Sequence, residues 1–318
     1  MEKYMLDFAN NKFGIFNHFL FGKPGSSIEN AAERNAEAAE WNRRCNLFDV
    51  ERVAFDLNRI GAGYYFITVM QGYRFMLAPN ETFDGICKTQ PGECCAKRDL
   101  IADLIAALRK YDIDLCLYFT GDGPYKDEYC TKYMGHVNQE KGIVNEVFLK
   151  NWSSVLEEYA VRYGDGVKAW WIDGCYDATI GSKLGYKKEH LKYYYNAIKK
   201  GNPNALIACN NGIRMNLYKW GDGDELTSGE YNDFSHVPTS QFVDGALSHF
   251  LIPLGINKER PGHGGWGMGG CAINRDNLKK YIDYVNGYGG VLTLDIAIDH
   301  ESNFDSEQLE MLIGIMDK

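Results

Sequence analysis

The chain has 318 residues, 45% of them hydrophobic, 14% aromatic and 24% charged, a composition that supports a large buried core and excludes a disordered or fibrous chain. Its 34 Lys and Arg against 43 Asp and Glu leave a formal net charge of −9, and without any basic block this argues against a nucleic-acid partner held through phosphates. No apolar run approaches the roughly 18 residues that cross a bilayer, and the opening Met-Glu-Lys-Tyr-Met-Leu-Asp lacks the order of a secretory signal, so a soluble, cytoplasmic protein is expected.

Short apolar runs alternate with segments whose apolar residues recur at helical spacing. In chain order the pattern predicts a strand over 13–19, a helix over 50–60, a strand over 63–69, a helix over 98–110 and a strand over 113–120. A helix over 145–163, a strand over 168–173, a helix over 187–200 and strands over 205–210, 225–229 and 248–253 come next. A helix over 275–286, a strand over 290–296 and a helix over 306–316 complete the series. The sharpest helical stripes are Leu100, Ile101, Leu104, Ile105 and Leu108, and Leu309, Leu312, Ile313 and Met316 behind Asp305 and Gln308 in capping-box spacing. Eight strands with intervening helices and no Pro/Ser/Gly linker point to a (β/α)8 TIM-like barrel, one domain over residues 1–318, with an open doubly wound sheet as the alternative. Asn210 to Glu225 is too short for a full crossover helix.

In such a barrel, chemistry gathers at the carboxyl ends of the strands. His18 ends the first predicted strand, Asp122 follows the third, Asp173 ends the fourth, Asn210 and Asn211 end the fifth, Glu230 ends the sixth, and His263 and Trp266 follow the seventh. Asp173 closes Lys-Ala-Trp-Trp-Ile-Asp-Gly, where an unpaired buried charge is costly and so is seldom accidental; its plainer reading is a helix cap or an Arg partner. Glu230 in Leu-Thr-Ser-Gly-Glu-Tyr reads equally as a solvated loop carboxylate. Two carboxylates facing each other across a barrel mouth suit glycoside hydrolysis, one attacking the anomeric carbon or activating water while the other protonates the leaving oxygen. The 6 Trp, 21 Tyr and 16 Phe offer apolar faces to sugar rings, although most serve packing.

The nine cysteines contain no C-x-x-C pair and the seven histidines no H-E-x-x-H, so neither a disulfide framework, a metal site nor a cofactor is expected. The glycine-rich stretch over 261–270 lacks phosphate-loop spacing and reads as a flexible active-site loop.

Taken in order, the motifs resemble the catalytic domain of glycoside hydrolase family 29, the α-L-fucosidases. Phe13-Gly14-Ile15-Phe16-Asn17-His18-Phe19 resembles the family's F-G-I-F-x-H-W strand, Glu40-Trp41-Asn42 its E-W-Y, Lys97-Arg98-Asp99-Leu100 its K-R-D-L helix start, and Leu117-Tyr118-Phe119 its G-L-Y-Y strand. Trp170-Trp171-Ile172-Asp173-Gly174 is similar to the W-F-D-G that carries the nucleophile, Asn210-Asn211-Gly212-Ile213-Arg214 to N-x-R, and Thr227-Ser228-Gly229-Glu230 to a T-P-E segment whose Glu is the acid/base in some members. Trp266-Gly267-Met268 resembles W-G-Y, and Gly289-Gly290-Val291-Leu292-Thr293-Leu294 the closing strand. The resemblance implies a retaining exo-glycosidase with Asp173 as nucleophile and Glu230 as acid/base, acting on a glycoside or oligosaccharide. His18, Trp41, Gln71, Tyr73, Arg74, Asn211 and Trp266 are the implied sugar-binding residues.

One departure stands out. Where the family has K-H-H-D-G-F, this chain reads Met70-Gln71-Gly72-Tyr73-Arg74-Phe75, and both sugar-holding histidines are gone. Hydrogen bonds to charged partners are worth about 1.5 to 3 kcal/mol each, so the preferred sugar changes unless Gln71, Tyr73 or Arg74 substitutes. Arg74 aimed into the pocket implies an anionic or sulfated substituent; a salt bridge is its plainer role. The alternatives to a fucosidase are the same barrel acting on a different glycone, or a catalytically silent sugar-binding barrel. The family's common C-terminal β-sandwich is not expected.

Overall fold

The computed structural model describes residues 2–22, 30–135, 144–178 and 185–316. Helix α1 (Lys3–Ala9) precedes β1 (Phe13–Asn17); α2 (Ala31–Leu47) and α3 (Val50–Ile60) lead to β2 (Tyr64–Thr68), and α4 (Glu81–Cys87) and α5 (Leu100–Arg109) to β3 (Asp114–Thr120). Then come α6 (Glu128–Met134), α7 (Glu146–Tyr163), β4 (Val167–Asp173), α8 (Lys192–Gly201) and β5 (Leu206–Cys209). Two small hairpins, β6 (Phe242–Val243) with β7 (Ala246–Leu247) and β9 (Gly255–Ile256) with β10 (Gly264–Gly265), flank β8 (His249–Pro253); α9 (Arg275–Gly287), β11 (Val291–Asp295) and α10 (Ser306–Leu312) finish the chain.

Seven parallel strands curl in the order β5-β4-β3-β2-β1-β11-β8. Strands buried on both faces need apolar residues at every position, and β1, β2, β5, β8 and β11 are buried throughout. Alternation decides which way each residue points. Phe16, Phe66, Tyr118, Trp171 and Leu251 fill the barrel interior with Met5 and Phe8 of α1, whose Phe8 ring lies 4.9 Å from that of Tyr64. Ile15, Ile67, Leu117, Ile172 and Leu294 pack outward in the layer beneath the helices. Helix α1 thus plugs the amino-terminal end of the barrel and leaves the carboxyl end open.

The gap between β5 and β8 is filled by residues 225–231, of which 225–229 are predicted as the sixth strand. They form no regular strand. Leu226 N–H donates to Ile207 O on one side at 3.1 Å, while Thr227 N–H donates to Leu247 O at 3.0 Å and Tyr231 N–H to Leu251 O at 3.1 Å on the other, with bridges only at Leu226–Leu247 and Glu230–Leu251. Gly229 is the reason: its φ is +58°, and a Cβ there would run into the carbonyl of His249, so the chain steps out of the pleat yet stays pressed against β8. The barrel therefore closes through an irregular piece of chain.

The other seven predicted strands and the helices over α3, α5, α7, α8, α9 and α10 are present. Helices α1, α2, α4 and α6 lie outside the prediction. Three have seven residues, and α2, Ala-Ala-Glu-Arg-Asn-Ala-Glu-Ala-Ala-Glu-Trp, is alanine-rich with few large apolar side chains to mark its face. Asp305 caps α10 through Gln308 N–H, but Gln308 does not return the bond. Its side chain instead accepts from Ala297 N–H and donates to Met268 O and Gly270 O, fastening the loop beyond Trp266. Among the described residues no helix is long and apolar enough to cross a membrane.

Candidate active site

A cavity of about 490 Å³ opens at the carboxyl end of the sheet, with Phe16, Tyr118, Trp171 and Leu251 from the barrel interior among its lining residues and His18, Gln71, Asp173, Tyr176, Glu230 and Trp266 as its polar and rim groups. Asp173 is the last residue of β4, so the pleat carries its carboxyl to the mouth. Tyr118 Oη donates to Asp173 Oδ2 at 2.5 Å; Asn210 Nδ2 and Tyr176 Oη donate to Oδ1 at 2.8 and 3.2 Å. Three uncharged donors thus fix one carboxylate in orientation. Tyr118 is itself stacked between Phe16 and Trp171, at 5.6 and 5.5 Å between ring centroids, and accepts from Gln71 Nε2 at 2.8 Å. Burial, aided by the Asp173 charge, pushes the Tyr118 phenol well above its ordinary range, so it remains a donor.

Glu230 stands beside this carboxylate on the closing segment. Asn210 Nδ2 donates to Glu230 Oε2 at 2.5 Å as well as to Asp173 at 2.8 Å, so the two carboxylate oxygens are no more than 5.3 Å apart. Burial first, and the Asp173 charge second, push the Glu230 carboxyl from 4.5 to about 7, against the opposing pull of the Asn210 bond and of His18. The pair therefore consists of two carboxyl groups with different environments: one saturated with donors, the other poised to hold a proton near neutrality.

The opposite wall is organised by Asp295, which ends β11 and is wholly buried. It accepts from the backbone N–H of Gly267 at 2.5 Å and pairs with His18 Nδ1 at 2.9 Å, which leaves His18 Nε2 as the nitrogen available to a ligand. Trp266 meets His18 edge to face at 6.0 Å, and its indole N–H donates to Asn232 Oδ1 at 3.0 Å.

Of the residues expected from sequence, Asp173, Glu230, His18, Gln71 and Trp266 line the cavity. The others have partners elsewhere. Trp41 is buried in the core against Phe19, Phe21 and Phe75, its indole N–H satisfied by Met76 O at 2.8 Å. Arg74 is 2% exposed and held between Glu37 and Asp127 at 2.6 and 2.7 Å, so its guanidinium ties α2 to the start of α6. Asn211 braces the backbone and carboxyl of Asp177 at 2.8 and 2.9 Å; its neighbour Asn210 is the one that faces the carboxylates. Tyr73 packs beside Gly22 and under Lys126. Asp122 is buried close to Gly174, behind Asp173.

Tyr118, Tyr176 and Asp295 join the site without a motif that gives them a role. Strand alternation marks Tyr118, two residues from the end of β3 on the inward face. Asp295 carries the same signal as Asp173, a carboxylate ending an apolar strand. Among the described residues no group of three or more His, Cys, Asp or Glu is arranged to hold a metal ion.

Comparison with known proteins agrees with this architecture. No curated protein sequence matches the chain. Solved structures share its fold: an α-L-fucosidase of family 29 from Bacteroides thetaiotaomicron is 17% identical with a TM-score of 0.64, over 99% of this chain and 73% of that one. The α-L-fucosidase AlfC from Lactobacillus casei, in complex with α-L-fucose product, is 16% identical with a TM-score of 0.66, over 99% and 97% of the two chains. The endo-fucoidan hydrolase P5AFcnA of family 107 is 12% identical with a TM-score of 0.69, over 98% and 92%. A family model described as Alpha-L-fucosidase matches residues 2–241, most of the chain, and the protein therefore belongs to the α-L-fucosidase family, as a glycoside hydrolase built on a TIM-like barrel.

Proposed function

We propose that the protein is a retaining exo-glycosidase in which one barrel domain releases a terminal fucosyl-type sugar, with Asp173 as nucleophile and Glu230 as acid/base. The observation that carries this reading is the Asn210 amide shared by both carboxylates, which keeps their oxygens within 5.3 Å. Retention calls for a separation of about 5 to 5.5 Å and inversion for about 6.5 to 9.5 Å. In the first step an Asp173 oxygen attacks the anomeric carbon while the bond to the leaving oxygen breaks and that oxygen takes the Glu230 proton. In the second, Glu230 removes a proton from water, the water oxygen attacks the same carbon, and the Asp173 ester bond breaks. A carboxyl near pKa 7 suits both duties at neutral pH.

His18, Gln71 and Trp266 are placed to hold the glycone. A changed glycone preference is the second reading, and a specific observation favours it: of the three residues that could stand in for the missing histidines, Gln71 lines the cavity while Arg74 is locked in ion pairs. Chromophore release from a panel of aryl glycosides, α-L-fucoside included, tests both readings with wild type and Asp173→Asn side by side. The expected result is hydrolysis with retained anomeric configuration by proton NMR, and loss of nearly all turnover in a variant that still folds. Normal turnover by the variant, or an inverted first product, refutes the assignment, and cleavage of another glycoside in place of the fucoside selects the second reading.

A further inference from the structure

Next to the loop that bears Gln71, outside the residues that line the cavity, lies a cation that the mechanism leaves unused. Lys126 lies in Thr120-Gly121-Asp122-Gly123-Pro124-Tyr125-Lys126, the segment leaving β3 at the carboxyl face. Its backbone N–H donates to Gly72 O at 2.7 Å, tying this loop to the one that bears Gln71. Gly72 has φ +76°, and a Cβ there would meet Lys126 Cδ at 2.9 Å, so a side chain at that position would displace the lysine stem from the loop. The ammonium comes to rest 5.4 Å from the Tyr73 ring centroid and 5.3 Å from that of Tyr125, within cation–π range of both. Burial first, and the charges of Asp122 and Asp173 after it, push the Tyr125 phenol up, which brings this ring into the field of the active site.

Lys126 is exposed, and among the described residues no carboxylate lies within 4.0 Å of its ammonium. The other cation of these loops, Arg74, is neutralised by Glu37 and Asp127. The charges that act on this corner, Asp122 and Asp173, are acidic, and the Lys126 ammonium opposes the effect of Asp173 on Asp122 from more than ion-pair distance, in a chain of net charge −9. An ammonium over two aromatic rings, on a loop tied to the one that enters an acidic cavity, is suited to an anion carried on the substrate.

We infer that Lys126, with Tyr73 and Tyr125, forms a subsite for an anionic substituent on the sugar, a sulfate ester or a carboxylate. The inference rests on the reading of the cavity as a glycosidase site. It is tested by calorimetric binding to the full-length Asp173→Asn protein at low salt, so that the readout does not depend on turnover. The probes are 4-nitrophenyl α-L-fucoside, its monosulfates at each of the three ring hydroxyls, and the corresponding carboxymethyl ethers.

At least one anionic probe is expected to bind about tenfold or more tighter than the neutral fucoside. That ratio collapses towards one when Lys126→Met is added and returns with Lys126→Arg. Which series shows the advantage identifies the anion. The inference is overturned if no anionic probe is favoured, or if the ratio survives in Lys126→Met. Failure of the catalytic reading shows elsewhere, as normal turnover by Asp173→Asn.

Discussion

Replacing Glu230 with Gln removes the titration of a carboxyl held at about 7 by burial and by the Asp173 charge, against 4.5 for an ordinary glutamate. The difference is roughly 2.5 pH units, and at about 1.36 kcal/mol each it amounts to about 3 kcal/mol as an upper bound. Below pH 4.5 Glu230 is protonated in both the folded and the unfolded chain, so the substitution changes little. Between 4.5 and 7 the unfolded chain releases a proton that the native protein keeps, and wild-type stability falls as pH rises. Above pH 7 the native site carries both negative charges, and the cost is complete. Glu230→Gln should therefore gain on wild type across that window and hold its advantage at higher pH. With about 2.1 cal/mol/K of unfolding entropy per residue over 318 residues, the gain corresponds to a Tm difference of about 4 to 5 °C. Thermal melts of both proteins by circular dichroism, from pH 4 to 9, read this directly. A difference that stays constant with pH would show that Glu230 is not held protonated against Asp173, and would remove the basis for its role as acid. On the proposed mechanism the same group governs catalysis in the same direction: kcat/KM on a fucoside with a poor leaving group is expected to fall as pH rises through about 7.

Two further substitutions separate the site from its supports. Asn210→Ala removes a pre-organised donor to Asp173, the proposed nucleophile, and kcat should fall about 10²-fold; because the intact bond holds the Glu230 pKa down, its loss should move the alkaline limb of the pH profile upward, as a pH–rate comparison will show. Arg74→Met leaves Glu37 and Asp127 without their guanidinium and should cost about 3 to 5 kcal/mol of stability, seen in denaturant titration, with KM unchanged.

What the sequence made legible followed from repeated local signals. Apolar β-branched and aromatic runs announced the strands, and the exit of Asp173 from Trp-Trp-Ile announced a carboxyl at a strand end. The misreadings share a cause: side-chain direction at a strand terminus or within a helix depends on partners distant in sequence. Asn210 and Asn211 are adjacent and chemically identical, yet the pleat sends one to the carboxylates and the other to Asp177. Trp41 sits on α2, where its indole is captured by the carbonyl of Met76, and nothing within Glu40-Trp41-Asn42 encodes that acceptor. Arg74 finds Glu37 and Asp127, 37 and 53 residues away along the chain, so its charge was visible while its neutralisation was not. The strand expected at 225–229 failed at Gly229, whose close approach to His249 is a tertiary fact.

That segment gives the barrel a seam, and the two carboxyl groups stand on opposite sides of a mechanical divide. Asp173 is set by a ladder shared with β3 and β5, where a one-residue slip would turn the whole strand inside out. Glu230 belongs to a segment that meets β8 and its hairpin through two isolated bridges, to residues 247 and 251, and meets β5 through backbone bonds to Ile207 O, so it shares no repeating register. The gap between the two groups decides whether the anomeric centre keeps or inverts its configuration. On the proposed mechanism, stereochemistry then depends on an irregular stretch of backbone, which makes residues 225–231 the natural target for redesigning the outcome of the reaction without dismantling the scaffold.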